Sequence, residues 1–75
     1  MTLKELRLES GLKVKKIAEQ LGISRSQVYF IETARSKPDK LKIEKLASIY
    51  KLSEDEIKKA WEVQHEQTNR RRLQI

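Results

Sequence analysis

The side chains able to do covalent or acid–base chemistry are few. The chain has no cysteine and a single histidine, His65, on a polar stretch. Thiolate nucleophiles, disulfides and thiolate metal sites are therefore excluded, and a transition metal finds no His or Cys pair to use. Ser, Asp and Glu are scattered without a nucleophile–base arrangement, and no glycine-rich phosphate loop is present. This composition predicts neither an enzyme nor a cofactor. What remains is the chemistry of charge. Lys and Arg number 17 against 11 Asp and Glu, a net charge of +6. The excess is concentrated between residues 13 and 42, which carry eight bases and three acids. Residues 43–66 are mildly acidic, and Arg70, Arg71 and Arg72 make the end basic again. Such a distribution suits a charged working face for a polyanion, set on a scaffold that is not itself basic.

That face needs elements to carry it. With 75 residues, 37% hydrophobic and 37% charged, the chain holds one small core, fed by one apolar face of each element. Every punctuation signal is helical. Thr2 and Glu5 are spaced as a capping box, Leu3 and Leu6 share a face, and Gly11 closes the first helix. A second helix runs from about Lys13 to Leu21, with Val14, Ile17, Ala18 and Leu21 on one stripe, and Gly22 breaks it. Ser24 caps a third helix from about Arg25 to Thr33. Residues 35–39 form a loop around Pro38, because proline disfavours helix in the residue before it.

A fourth helix, about Lys40 to Tyr50, buries Leu41 or Ile43 together with Leu46, Ala47 and Tyr50. Ser53 and Glu56 open a fifth, with Ile57, Ala60 and Trp61 inward. Past Gln64 the apolar stripe fades. The expected organisation is one domain over residues 1–66 and a frayed basic tail over 67–75. The fold class is all-α, five short helices. No apolar run is long enough to cross a bilayer and no leader is visible, so the expected location is the cytoplasm.

Ala18, Gly22 and Val28 are spaced as in a helix-turn-helix, and each residue type has a physical cause. Two helices joined by a short turn touch near it, so the first needs a small residue, Ala18. The turn needs a residue tolerant of positive φ, Gly22. The second helix needs a compact wedge, Val28. Ile17, Leu21, Ile23 and Ile31 complete the buried set.

With these residues in register, the chain resembles the xenobiotic response element type of helix-turn-helix regulators, the lambda-repressor-like domain. Matching stretches are Leu3-Lys4-Glu5-Leu6-Arg7, Gly11-Leu12, Ile17-Ala18-Glu19-Gln20-Leu21-Gly22-Ile23-Ser24-Arg25-Ser26, Val28, Ile31-Glu32, Pro38, Lys45-Leu46-Ala47 and Leu52-Ser53-Glu54-Asp55-Glu56-Ile57. They span about residues 1–60. The resemblance implies a buried ion pair between Arg7 and Glu32. It also implies a homodimer on double-stranded DNA with the third helix in the major groove. Three stretches depart from the family pattern: Lys13-Val14 stands in place of a hydroxyl cap and a glutamine, Ala34 stands where glycine is common, and the chain beyond Ile57 shares no pattern. Phe30 also stands where a polar or basic residue is usual.

On a helix with Val28 and Ile31 turned inward, Ser26, Tyr29, Phe30 and Thr33 point outward, and Gln27 flanks them. The expected base contacts are Arg25, Ser26, Gln27, Tyr29 and Phe30, with Arg25 to guanine the leading pairing. Gln27 can equally be a plain surface glutamine. Three placements are open to Phe30: on a thymine methyl, under the 35–39 loop, or in a dimer contact. Expected phosphate contacts are Lys13, Ser24, Thr33, Arg35, Lys37 and Lys40. Trp61 reads either as the last core anchor or as a partner hot spot. Residues 61–75 are the place for a protein partner, such as a toxin if the chain is an antitoxin. Three roles are open to the Arg70–Arg72 run: contact with flanking DNA, an acidic partner, or solvating the end, the last two together favoured over the first. A third reading keeps the bundle as a protein-interaction module without DNA.

Overall fold

The computed structural model describes the backbone of residues 1–73 and the side chains of residues 1–68. It consists of five helices: α1 (Leu3–Glu9), α2 (Val14–Leu21), α3 (Arg25–Glu32), α4 (Lys40–Tyr50) and α5 (Glu54–Leu73). No strand occurs among the described residues. Thr2 and Glu5 form a reciprocal capping box at the start of α1 (Thr2 N–Glu5 Oε1 2.9 Å, Glu5 N–Thr2 Oγ1 3.2 Å). The box holds the Glu5 carboxyl below its usual pKa, because the ionised form accepts the Thr2 hydrogen bonds. Asp39 caps α4 through the Lys42 N–H (2.9 Å), and Ser53 Oγ accepts from Glu56 N–H (3.1 Å) at α5.

The first four helices end alike, in a left-handed residue: Gly11, Gly22, Ala34 and Lys51, with φ of 71°, 69°, 61° and 56°. After each, the next residue's N–H reaches back to a carbonyl of the helix: Leu12 to Arg7, Ile23 to Ala18, Arg35 to Phe30, Leu52 to Ala47. This closure satisfies carbonyls that the helix leaves without partners. Glycine adopts it freely, whereas Ala34 and Lys51 do so against the steric preference of an L-residue. Three of the four following residues, Leu12, Ile23 and Leu52, then pack on the core. The fourth is the exposed Arg35.

The core joins one stripe from every helix: Leu3; Val14, Ile17, Ala18 and Leu21; Val28 and Ile31; Ile43, Leu46 and Ala47; Ile57 and Ala60. Of the two residues weighed for α4, Ile43 is buried and Leu41 is 59% exposed. Tyr50 and Trp61 pack against the core without being fully buried.

Two boundaries differ from those read in the sequence. The third helix stops at Glu32, with Thr33 as its cap. The fifth is not short: it passes through residue 66 and runs 20 residues to Leu73. Neither Pro nor Gly interrupts residues 54–73, and the inward stripe continues beyond Trp61 in polar residues that hydrogen-bond. The side chains of Arg70, Arg71 and Arg72 and all of residues 74–75 lie outside the described residues.

Candidate nucleic-acid interface

α2 and α3 meet around the Gly22 turn, with Ala18, Val28 and Ile31 at 5%, 2% and 5% exposure. The sequence after the turn starts a helix because Ser24 and Gln27 cap it reciprocally: Gln27 N donates to Ser24 Oγ (3.2 Å) and Ser24 N donates to Gln27 Oε1 (3.1 Å). The Ser-x-x-Gln spacing is itself a capping signal that the sequence reading passed over.

Only Val28, Ile31 and Glu32 of α3 are buried. Arg25, Ser26, Gln27, Tyr29 and Phe30 all lie on the open side, so the helix presents a continuous free edge. Phe30 is 44% exposed and Tyr29 52%, which rules out the placement of Phe30 fully beneath the 35–39 loop. Gln27 Oε1 is held by the cap, so its outward donor is the amide NH₂. A single bond to an acceptor on a base is open to it, whereas the bidentate pairing to adenine requires the engaged oxygen.

The flanking residues divide into two groups. Lys13 is the N-cap of α2, makes no side-chain cap bond, and lines one shallow groove with Lys15, Arg25 and Tyr29. Lys15 belongs to the basic stretch but was not singled out in the sequence. On the other side, Lys37 and Lys40 share a groove with Asp39 and Lys58. Arg35 is exposed. Ser24 keeps its hydroxyl proton free to donate. Thr33 does not, since its Oγ1 donates back to Tyr29 O (2.8 Å), and a phosphate contact from it requires exchanging that bond. Lys42 Nζ lies 3.1 Å from Asp39 Oδ2, which neutralises one charge of the basic stretch. The Lys42 hydrogen bonds hold the Asp39 carboxyl below its usual range.

Behind α3, Arg7 is 7% and Glu32 6% exposed. Arg7 Nε donates to Glu32 Oε2 (2.8 Å), Nη2 to Glu32 Oε1 (3.3 Å) and Nη1 to Leu12 O (3.3 Å). One guanidinium thus ties α1, the loop after it and the end of α3 together. The paired carboxylate raises the Arg7 pKa further, so the group is charged throughout.

The sequence reading missed the distal face of α5. Trp61 Nε1 donates to Ser36 O (3.1 Å) and Thr68 Oγ1 to Thr33 O (3.3 Å). His65 is half-buried, its ring stacked on Trp61 with centroids 4.9 Å apart. The signal lay in the spacing: Ile57, Trp61, Gln64 and Thr68 continue one helical stripe after the apolar residues stop.

Among the described residues, no group of three His, Cys, Asp or Glu could hold a metal ion, and no helix is long and apolar enough to cross a membrane. A family model described as helix-turn-helix matches residues 3–57. Neither a curated protein nor a solved structure matches the chain.

Proposed function

The chain belongs to the lambda-repressor-like helix-turn-helix family of DNA-binding regulators, and from that premise we propose that it is a sequence-specific repressor working as a homodimer. α3 enters the major groove, and bound dimer occludes a promoter in the cytoplasm. The observation that carries this reading is the free edge of α3: five outward side chains, backed by Val28 and Ile31 and by the Arg7–Glu32 pair.

The roles follow from chemistry and position. Arg25 presents a planar fork to guanine O6 and N7 at the start of the helix, where side chains reach deepest. Ser26 and the Gln27 amide add single hydrogen bonds. Tyr29 and Phe30 offer ring faces and edges to sugars and thymine methyls. Lys13, Ser24, Arg35, Lys37 and Lys40 grip phosphates on both sides of the groove and set the register without reading sequence. With roughly four phosphates neutralised per subunit, log affinity of a dimer falls with log salt with a slope of about −7.

The test begins with selection of bound duplexes from a random DNA pool. Arg25→Ala should then remove the preference for the selected site, while Lys37→Ala should weaken all duplexes alike and reduce the salt slope by about one. Failure of the pool to converge on any site would reject sequence-specific recognition. The antitoxin reading, with a toxin on residues 61–75, gains less support, because Trp61 and Thr68 are engaged with the chain's own loop.

A further inference from the structure

The segment between α3 and α4 leaves the helix in a left-handed turn at Ala34. Arg35 and Ser36 N–H groups both donate to Phe30 O (2.8 and 3.1 Å). This turn lacks the apolar residue that pins the other three: Leu12, Ile23 and Leu52 pack on the core, whereas Arg35 points to solvent. Its outward carbonyls are held from elsewhere. The Trp61 indole donates to Ser36 O (3.1 Å) and the Thr68 hydroxyl to Thr33 O (3.3 Å). Gln64 Nε2 donates to Thr68 Oγ1 (3.2 Å), which leaves the hydroxyl proton for Thr33. His65 stacks on the Trp61 ring at an interplanar angle of 15°. Trp61 also lines a groove with Lys37, Pro38 and Ile43, so ring and N–H act on the same loop.

We infer that Trp61 and Thr68 are positioning residues for the phosphate grip of Arg35 and Lys37, an assignment that rests on the DNA-binding reading above. Both lie beyond residue 57, where the family match ends. Their effect is on order. A loop whose backbone is already fixed presents its cations at set positions, and DNA need not immobilise it on binding. Two bonds spread over Thr33–Ser36 restrain the residues that bracket Arg35. Releasing one residue's backbone corresponds to about a five- to thirtyfold loss in affinity.

The test uses the full chain and two duplexes, one selected from a random pool and one scrambled. Trp61→Phe keeps the ring and removes the indole donor. Thr68→Val removes the hydroxyl at nearly constant shape, and Thr68→Ser restores it. Trp61→Phe and Thr68→Val should each weaken both duplexes about tenfold and make the salt slope shallower by one or two. The ratio between the duplexes should stay unchanged, and Thr68→Ser should bind like the original chain. A merely structural role would lower the melting temperature without moving the salt slope. Variants that bind with the original affinity and slope would overturn the inference and leave the DNA-binding reading standing. If the original chain retains neither duplex, both fall. Should Trp61→Phe fail to fold, the Thr68→Val and Thr68→Ser pair decides alone.

Discussion

Removing the Glu32 carboxylate should be among the most damaging single changes in the chain. The Arg7 and Glu32 side chains are 9% and 5% exposed and meet through two hydrogen bonds, with a third from Arg7 to Leu12 O. In Glu32→Ala the guanidinium cannot shed its proton and is left buried with only the Leu12 carbonyl. Breaking a buried pair in this way costs about 3–5 kcal/mol. A domain of this length has a total stability of roughly 4–11 kcal/mol, so the loss is between about a quarter and all of it. Each kcal/mol shifts the melting temperature by about 4–8 °C at this size, which gives a fall of at least about 12 °C. Urea unfolding followed by far-UV circular dichroism, beside thermal melting, measures both quantities. The double variant Arg7→Met, Glu32→Leu removes both charges together and should lie within about 2 kcal/mol of the original chain. A Glu32→Ala loss under about 1 kcal/mol would refute the reasoning, as would a double variant as unstable as the sum of the singles.

Replacing Ala34 with glycine at φ 61° should stabilise the chain by about 0.5–1 kcal/mol, because steric relief exceeds the extra freedom of the unfolded state; urea midpoints at constant slope measure it. Burial pushes the Tyr50 phenol up to about 12, so between pH 10 and 12 the folded state keeps a proton that the unfolded chain releases. The stability present below pH 10 should therefore fall through that window, by less than the ~1.4 kcal/mol per unit of a fully buried group because the phenol is partly exposed, and Tyr50→Phe should remove this part of the slope in denaturation series. Ser24→Ala leaves the Gln27 N–H without its partner and should cost about 1 kcal/mol, read from thermal melts with and without a selected duplex. Ile57→Ala, at a site with 0% exposure, should cost about 2–5 kcal/mol in urea unfolding.

Where local signals act alone, the sequence was a sufficient guide. The Thr2–Glu5 box, the Gly22 turn and the inward stripes of α2 and α3 each follow from short-range spacing, and all appear where expected. Choices that depend on packing were not legible. Leu41 and Ile43 are two residues apart on one helix, and only the packing of α4 against its neighbours α2 and α5 determines which is buried. Ala34 and Lys51 carry no glycine signature, yet both take left-handed geometry: Lys51 where Leu52 packs back on the core, and Ala34 where the Arg35 and Ser36 N–H groups return to Phe30 O. The length of α5 was underestimated for a related reason. Apolar periodicity stops near Trp61, but hydrogen-bonding residues continue the same stripe, and a hydrophobicity pattern does not register them. At the interface, exposure along α3 followed from helical geometry, whereas the engagement of Thr33 and Gln27 with their own backbone did not.

The division of labour within α3 bears on how such a protein diversifies. Val28, Ile31 and Glu32 are the buried anchors of the segment, whereas Arg25, Ser26, Tyr29 and Phe30 are exposed. Codons 25, 26, 29 and 30 can consequently drift or be randomised with little penalty to the rest of the molecule. A library varied there, over an unchanged scaffold, would yield new target preferences without new folds.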